Sequence, residues 1–249
     1  MSRMTMKTGI APRIALTMGS SEDLTFGRFL DRQRKFLVTA KVNDKIKTAF
    51  LSHTGRLPSL LHPGASLLLR KRSSREKSRL SLEVLAVRQR GTWVCIKSQL
   101  ANQLVERAVL SGALNDLPSD LVFRREPKLP GGGRADFALE ASDTMRILIE
   151  VKSCCEKDGD DVIFPDTVTE RGTRQVHALG RIARNGIDVR VCFVAMRSDA
   201  AGIRLAKEID RSFVEAIELA QKQGVKLLGL RVKVTARRIS LLGPIPVVF

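Results

Sequence analysis

Two periodicities divide the chain. Up to about residue 98, apolar positions recur every second residue or run together over short lengths, in FGRFLDR, RKFLVTAKV, KIKTAFLS, ASLLLRKR, RLSLEVLAV and GTWVCIK. Such alternation marks half-buried strands. The breaks fall at Asn43-Asp44, at His62-Pro63-Gly64 and in the polar stretch 73–78, where the residues favour turns. Five or six short strands in about 75 residues predict a small closed barrel of the oligonucleotide-binding (OB) type.

Beyond residue 98 the period lengthens. Leu100, Leu104 and Ala108, with Val105 and Leu110, repeat at helical spacing and are closed by Gly112, which predicts a helix. Strands follow at LVFRREPKL, RADFALE and MRILIEVKS. A helix from about Arg171 to Arg184 comes next, then a buried strand VRVCFVAM and a helix from about Leu205 to Gln223. Two terminal strands, VKLLGLRVKV and RRISLLGPIPVV, complete the pattern. Strands interleaved with helices give a sheet with helices on its faces. The expected fold is mixed α/β, with an OB-type β-barrel over residues 1–98 and an α/β domain over 99–249.

Charge follows the same division. The chain of 249 residues carries a formal net charge of +17, of which residues 1–98 contribute +14 and residues 99–249 only +3. A basic half of this size attracts polyanions by counterion release, and nucleic acid is the commonest polyanion in cytoplasm. Plain solubility charge is the bland alternative. Membrane-surface binding is disfavoured, because the basic half alternates like strands and shows no amphipathic helix with a large apolar face. Arg56, Arg70, Lys71 and Arg72 are its candidate phosphate contacts. Tyrosine is absent, so only Trp93 and four phenylalanines could stack on bases there; Phe26, Phe29, Phe36 and Phe50 are assigned to the core. No secretory leader, membrane-spanning run or C-x-x-C pair is visible, so a cytoplasmic protein without a zinc site is expected.

One stretch, RADFALEASDTMRILIEVKS at 134–153, carries candidate chemistry. On a strand, Ile147, Ile149 and Val151 share one face, while Leu148, Glu150 and Lys152 share the other. If Ala135, Phe137 and Leu139 also serve the core, Asp136 lies on the face of Glu150. Two carboxylates then converge beside an ammonium. An Asp plus a Glu suits Mg²⁺ or Mn²⁺, hard cations that take oxygen ligands and keep waters. Lys152 could orient or deprotonate an attacking water, or offset charge developing on a phosphate oxygen. A simple salt bridge across a hairpin is the competing explanation. Farther on, Thr167 and Glu170 have capping-box spacing. Arg171, Arg174, Arg181 and Arg184 recur at helical spacing on what is either a solvated face or a phosphate-holding one. Arg171 and Arg174 are the preferred phosphate contacts.

Asp136, Glu150 and Lys152 resemble the signature of the PD-(D/E)xK nuclease superfamily. The segment FPDTVTERG at 164–172, close after EVKS, resembles a hallmark of the sugar fermentation stimulation protein family. The similarity extends through RQRKFLVTAKV, HTGRL at 53–57, ANQLVERAV at 101–109 and the terminal IPVVF. The loop usually written P-N-x-G-R in that family reads Ser52-His53-Thr54-Gly55-Arg56 here. The resemblance implies an OB barrel joined to a PD-(D/E)xK nuclease-like α/β domain, in a DNA-binding family linked to regulation of sugar (maltose) metabolism. It also implies Asp136 and Glu150 as metal ligands, Lys152 as the catalytic lysine and Glu106 as a further catalytic acid. A Mg²⁺-dependent nuclease acting on DNA is thus the leading expectation. Its rivals are a DNA-binding transcriptional regulator that keeps the nuclease fold without turnover, and a structural protein whose acids form only a salt-bridge network.

Overall fold

The computed structural model describes residues 14–72, 80–114, 117–118, 121–130, 132–141 and 144–249. The polar stretch 73–78 and residues 1–13, where a leader would lie, are outside the described residues.

A short strand, β1 (Ala15–Thr17), precedes the barrel. The barrel strands are β2 (Leu24–Arg34), β3 (Leu37–Val42), β4 (Lys45–Leu51), β5 (Ser66–Lys71) and β6 (Leu82–Gln89), with β7 (Thr92–Cys95) added to β6. Their order is β4-β3-β2-β5-β6, and β6 returns to β4 in parallel through Phe50↔Glu83 and Leu51↔Val84. The sheet is therefore closed, as an OB barrel requires. Asn43 and Asp44, at φ 48° and 59°, form the left-handed two-residue link between β3 and β4; short polar side chains tolerate that conformation and its twist matches the hairpin. Gly27 is needed on β2, where an added Cβ would lie 2.9 Å from Val42 Cγ2 and 3.0 Å from the Lys41 carbonyl.

The second part comprises α1 (Gln99–Leu110), β8 (Val122–Arg125), β9 (Phe137–Ala141), β10 (Thr144–Cys154), β11 (Lys157–Asp158), β12 (Asp161–Phe164), α2 (Glu170–Arg184), β13 (Asp188–Ala195), β14 (Ile203–Leu205), α3 (Arg211–Lys222), β15 (Lys226–Val234), β16 (Arg238–Pro244) and β17 (Val247–Val248). Seven strands form the main sheet in the order β1-β16-β15-β13-β10-β9-β8, and β11-β12-β14-β17 form a small one. The centre, β10-β13-β15, is parallel. Both its faces are covered, which explains the near-continuous burial of β13. Ile147, Ile149 and Val151 pack with α1 and with the barrel core, while Leu148 packs with α2 and α3. One segment before residue 98 lies outside the barrel: β1 pairs antiparallel with β16 of the main sheet.

Four expectations need correction. The helix expected from about Leu205 begins at Arg211, because residues 203–205 pair as β14 and the Asp210 carboxylate caps α3 at the Phe213 N–H, 3.0 Å away. The capping frame of α2 is shifted by two residues. Thr169, rather than Thr167, caps it by accepting from the Gly172 N–H at 3.1 Å, and the other oxygen of Asp210 takes the Thr169 N–H at 2.7 Å. One buried carboxylate thus fixes both helix starts. Ala135 packs with the α2/α3 layer and not with Phe137 and Leu139, since the chain bends at Asp136 before β9 begins. Finally, Phe29 is core, but Phe26 and Phe36 are 58% and 42% exposed.

The motifs HTGRL and FPDTVTERG meet where barrel and α/β layer join. Arg32 shapes the first by donating to the carbonyls of His53, Gly55 and Arg56 at 3.0, 2.6 and 3.1 Å. Asp166 of the second lies against Gly55, where a Cβ would come within 1.9 Å of Asp166 Oδ2. Burial lowers the pKa of His53 against an opposing pull from Asp166. Ser59 and Glu156 tie the two parts together nearby, through the Ser59 N–H at 3.3 Å and through its hydroxyl.

Candidate active site

Asp136 is set by the end of a ladder. Pairing between β9 and β10 stops at Ile149↔Phe137, so the next amide on that edge, Val151 N–H, donates instead to Asp136 Oδ2 at 2.7 Å. Asn102 of α1 donates to Asp136 Oδ1 at 2.6 Å. Glu150 and Lys152 share the α2 face of β10, two residues apart. Lys152 Nζ bonds Glu150 Oε1 at 2.6 Å and Gln175 Oε1 of α2 at 2.9 Å. Gln175 in turn donates to the Arg134 carbonyl at 3.1 Å. The acids are therefore gripped from both helical layers.

These groups line a cleft of about 660 Å³ together with Thr54 from the barrel, Ser98, Gln99, Glu126, Arg134, Thr169 and Arg171. Burial pushes the Glu150 carboxyl above its ordinary range; Lys152 pulls it back and Asp136 pushes it further up. Asp136 is likewise raised by burial, against the Val151 N–H, Lys152 and Asn102, which lower it. Glu150 is 5% exposed, and its Oε2 has no hydrogen-bond partner among the described residues. A buried carboxylate oxygen without a donor is costly unless something cationic meets it. Carboxylate oxygens hold more than one lone pair each, so Asp136 keeps acceptor capacity beside its two donors. The donor set is all oxygen and anionic, which fits a hard divalent cation better than zinc or copper. Among the described residues no cluster of three or more His, Cys, Asp or Glu has the arrangement of a metal site; Glu126, the third acid lining the cleft, pairs with Arg134 at 2.8 Å. The four cysteines are buried, with Cys95 and Cys192 pushed up to about 12, and offer no thiolate.

The other sequence candidates are dispersed. Glu106 lies one turn beyond Asn102 on α1, is held by Arg125 Nε at 2.9 Å, and lines an adjoining depression that shares Asp136 and Glu126 with the cleft. Arg171 lines the cleft itself. Arg174 lies in the next hollow along α2 with Arg134, Arg171, His177 and Arg181, and pairs with Glu170 at 3.5 Å. In the barrel, Arg70 shares the buried Glu83 with Lys97, at 2.8 and 2.7 Å. Arg72 covers the Phe50 ring at 4.8 Å. Lys71 and Arg56 are exposed, and from the HTGRL motif it is Thr54, not Arg56, that reaches the cleft. Sequence reasoning missed Asn102 and Gln175. Asn102 stands at i−4 from Glu106 on one helix face, which was a usable signal; Gln175 had none.

Family models match most of the chain. The description "Sugar fermentation stimulation protein RE domain" covers residues 99–238, and "SfsA N-terminal OB domain" covers 30–96. The chain belongs to the sugar fermentation stimulation protein family. A homologue from Chloroflexus aurantiacus is 35% identical over 237 residues, spanning 94% of this chain and 89% of its own length. One from Natranaerobius thermophilus is 31% identical over 229 residues, spanning 91% and 95%. The fold matches the SfsA of Pyrococcus furiosus, solved in complex with Ca²⁺, with a TM-score of 0.82 at 22% identity, over 93% of this chain and 99% of that one. The two family models divide the chain where the structure does, between the OB barrel and the α/β part that begins with α1.

Proposed function

We propose that the protein is a nucleic-acid phosphodiesterase dependent on Mg²⁺ or Mn²⁺, with DNA as its substrate. The observation that carries this reading is the placement of Asp136 with Glu150, whose buried Oε2 has no hydrogen-bond partner among the described residues, beside the Lys152 ammonium in a cleft that also holds Arg171. Asp136 and Glu150 would hold the cation. When bound, it would supply Lewis acidity toward a phosphoryl oxygen and a more acidic water. The Val151 N–H and Asn102 fix the carboxylate of Asp136, so little reorganisation is needed on binding. Lys152, steered by Gln175, can orient the attacking water or offset charge on the scissile phosphate. Arg171, at the rim, can hold a neighbouring phosphate. A Ca²⁺ complex of a relative with the same fold agrees with a divalent site.

A second reading has its own support. Glu150 and Lys152 already bond at 2.6 Å, so the lysine can neutralise the acid without a cation, as a DNA-binding regulator that retains the fold without turnover would need. The family name's link to sugar use belongs with either reading. Incubation with single- and double-stranded DNA and RNA, with Mg²⁺ or Mn²⁺ against EDTA, separates them. Metal-dependent cleavage that disappears in Lys152→Ala supports the phosphodiesterase. Binding without cleavage under every condition overturns it.

A further inference from the structure

The barrel carries an aromatic face that the core uses only in part: Trp93 packs half-buried against the core, and Phe26 lies largely outside it. Phe26 of β2 stacks on Trp93 of β7 with centroids 5.9 Å apart and planes 28° from parallel. Phe26 is 58% exposed, so its hydrophobic payload is not spent on folding. The Arg88 guanidinium lies over Trp93 at 5.9 Å. Around the two rings a cleft of about 640 Å³ is lined by Arg28, Lys41, Asn43, Ser66 and Arg88. Asp44 is the one acid among the lining residues, and Lys41 binds it at 3.0 Å. Flat rings bordered by cations and by an amide suit a ligand that is itself a flat ring joined to an anion.

We propose that this face is a stacking site for an unpaired base of single-stranded nucleic acid, with Arg88 and Lys41 beside the flanking phosphates. The proposal rests on the nucleic-acid reading above and deepens it. A base in a duplex is stacked on both sides and cannot enter, whereas every unpaired base offers a π-face, so the site selects strandedness and not sequence. Single-stranded segments would therefore be gripped at a second point of the barrel, apart from the acidic cleft.

Trp93 is the single tryptophan of the chain, so its emission reports on this face directly. The full-length protein is titrated in EDTA, which prevents cleavage, with labelled oligothymidylate, with an abasic polymer of equal charge and with a blunt duplex. Anisotropy of the label reads binding, and Trp93 emission reads stacking. Saturable quenching by oligothymidylate but not by the abasic polymer is expected. Phe26→Leu, at an exposed position where the fold tolerates change, should weaken oligothymidylate binding roughly tenfold while leaving the duplex within about twofold. Oligothymidylate binding with unchanged Trp93 emission, or equal affinity in Phe26→Leu, overturns the stacking site and leaves the nucleic-acid reading standing. Absence of binding to every polymer overturns both. Emission that shifts on dilution of the protein alone assigns the face to a second copy of the chain and likewise overturns the proposal.

Discussion

Replacing Glu150 by Gln tests the acidic cleft without a substrate. Asp136 and Glu150 both have pKa values raised above their ordinary 3.8 and 4.5, chiefly by burial. Between those values and the raised ones the folded protein binds more protons than the unfolded chain, so stability falls as pH rises through that window; the loss is complete above it. A divalent cation that binds only the folded site reverses this by RT ln(1 + [L]/Kd), about 1.4 kcal/mol at roughly ten times the dissociation constant. For a chain of this size that is a rise in melting temperature of about 3–6 °C. Protons compete with the cation, so the rise should be full in mildly alkaline buffer and shrink as pH falls through the raised pKa values. Glu150→Gln resembles the neutral acid and keeps an oxygen for Lys152. Without metal it should therefore melt no lower than the wild type at neutral pH, and it should lose most of the metal increment. Scanning calorimetry with Mg²⁺ or Mn²⁺ against EDTA makes the measurement. Asp136→Asn should also lose the increment, since Asn102 can turn its amide to meet the new NH₂ group. If both variants gain as much from metal as the wild type, the acids do not hold the cation and the reasoning is refuted.

Lys152→Ala removes the ammonium but leaves both acids, so cleavage should fall by about 100-fold or more with affinity nearly kept; equal cleavage in single-turnover assays would remove Lys152 from the chemistry. Arg171→Ala should lower the slope of log affinity against log salt by about 1 in duplex titrations, and an unchanged slope would place Arg171 off the phosphate path. Gly55→Ala forces a Cβ against Asp166 Oδ2 and should cost about 1–3 kcal/mol in urea unfolding. Combining it with Asp166→Ala should recover part of that loss, and failure to recover any would mean that the contact is not the cause.

Much of this protein is written locally. Alternation in RKFLVTAKV and RLSLEVLAV, turn chemistry at Asn43-Asp44 and the helical repeat through Leu100, Leu104 and Ala108 are properties of neighbouring residues, and they determined strands and helix in the expected order. The two-residue strand period likewise put Glu150 and Lys152 on one face before any fold was known. The tertiary structure decided what depends on distant partners. Asp136 faces Glu150 because the chain bends and the β9 ladder ends, leaving the Val151 amide to be taken. Thr169 rather than Thr167 starts α2 because Asp210, 41 residues away, takes its amide. Asn102 and Gln175 enter the site from helices on opposite faces of the sheet. Phe26 on β2 meets Trp93 on β7 only because the folded sheet brings those strands together around β5 and β6, and whether a phenylalanine lies in a core or on a surface is set by which strand covers it. No window along the chain contains that information, since it is a relation between segments brought together by folding.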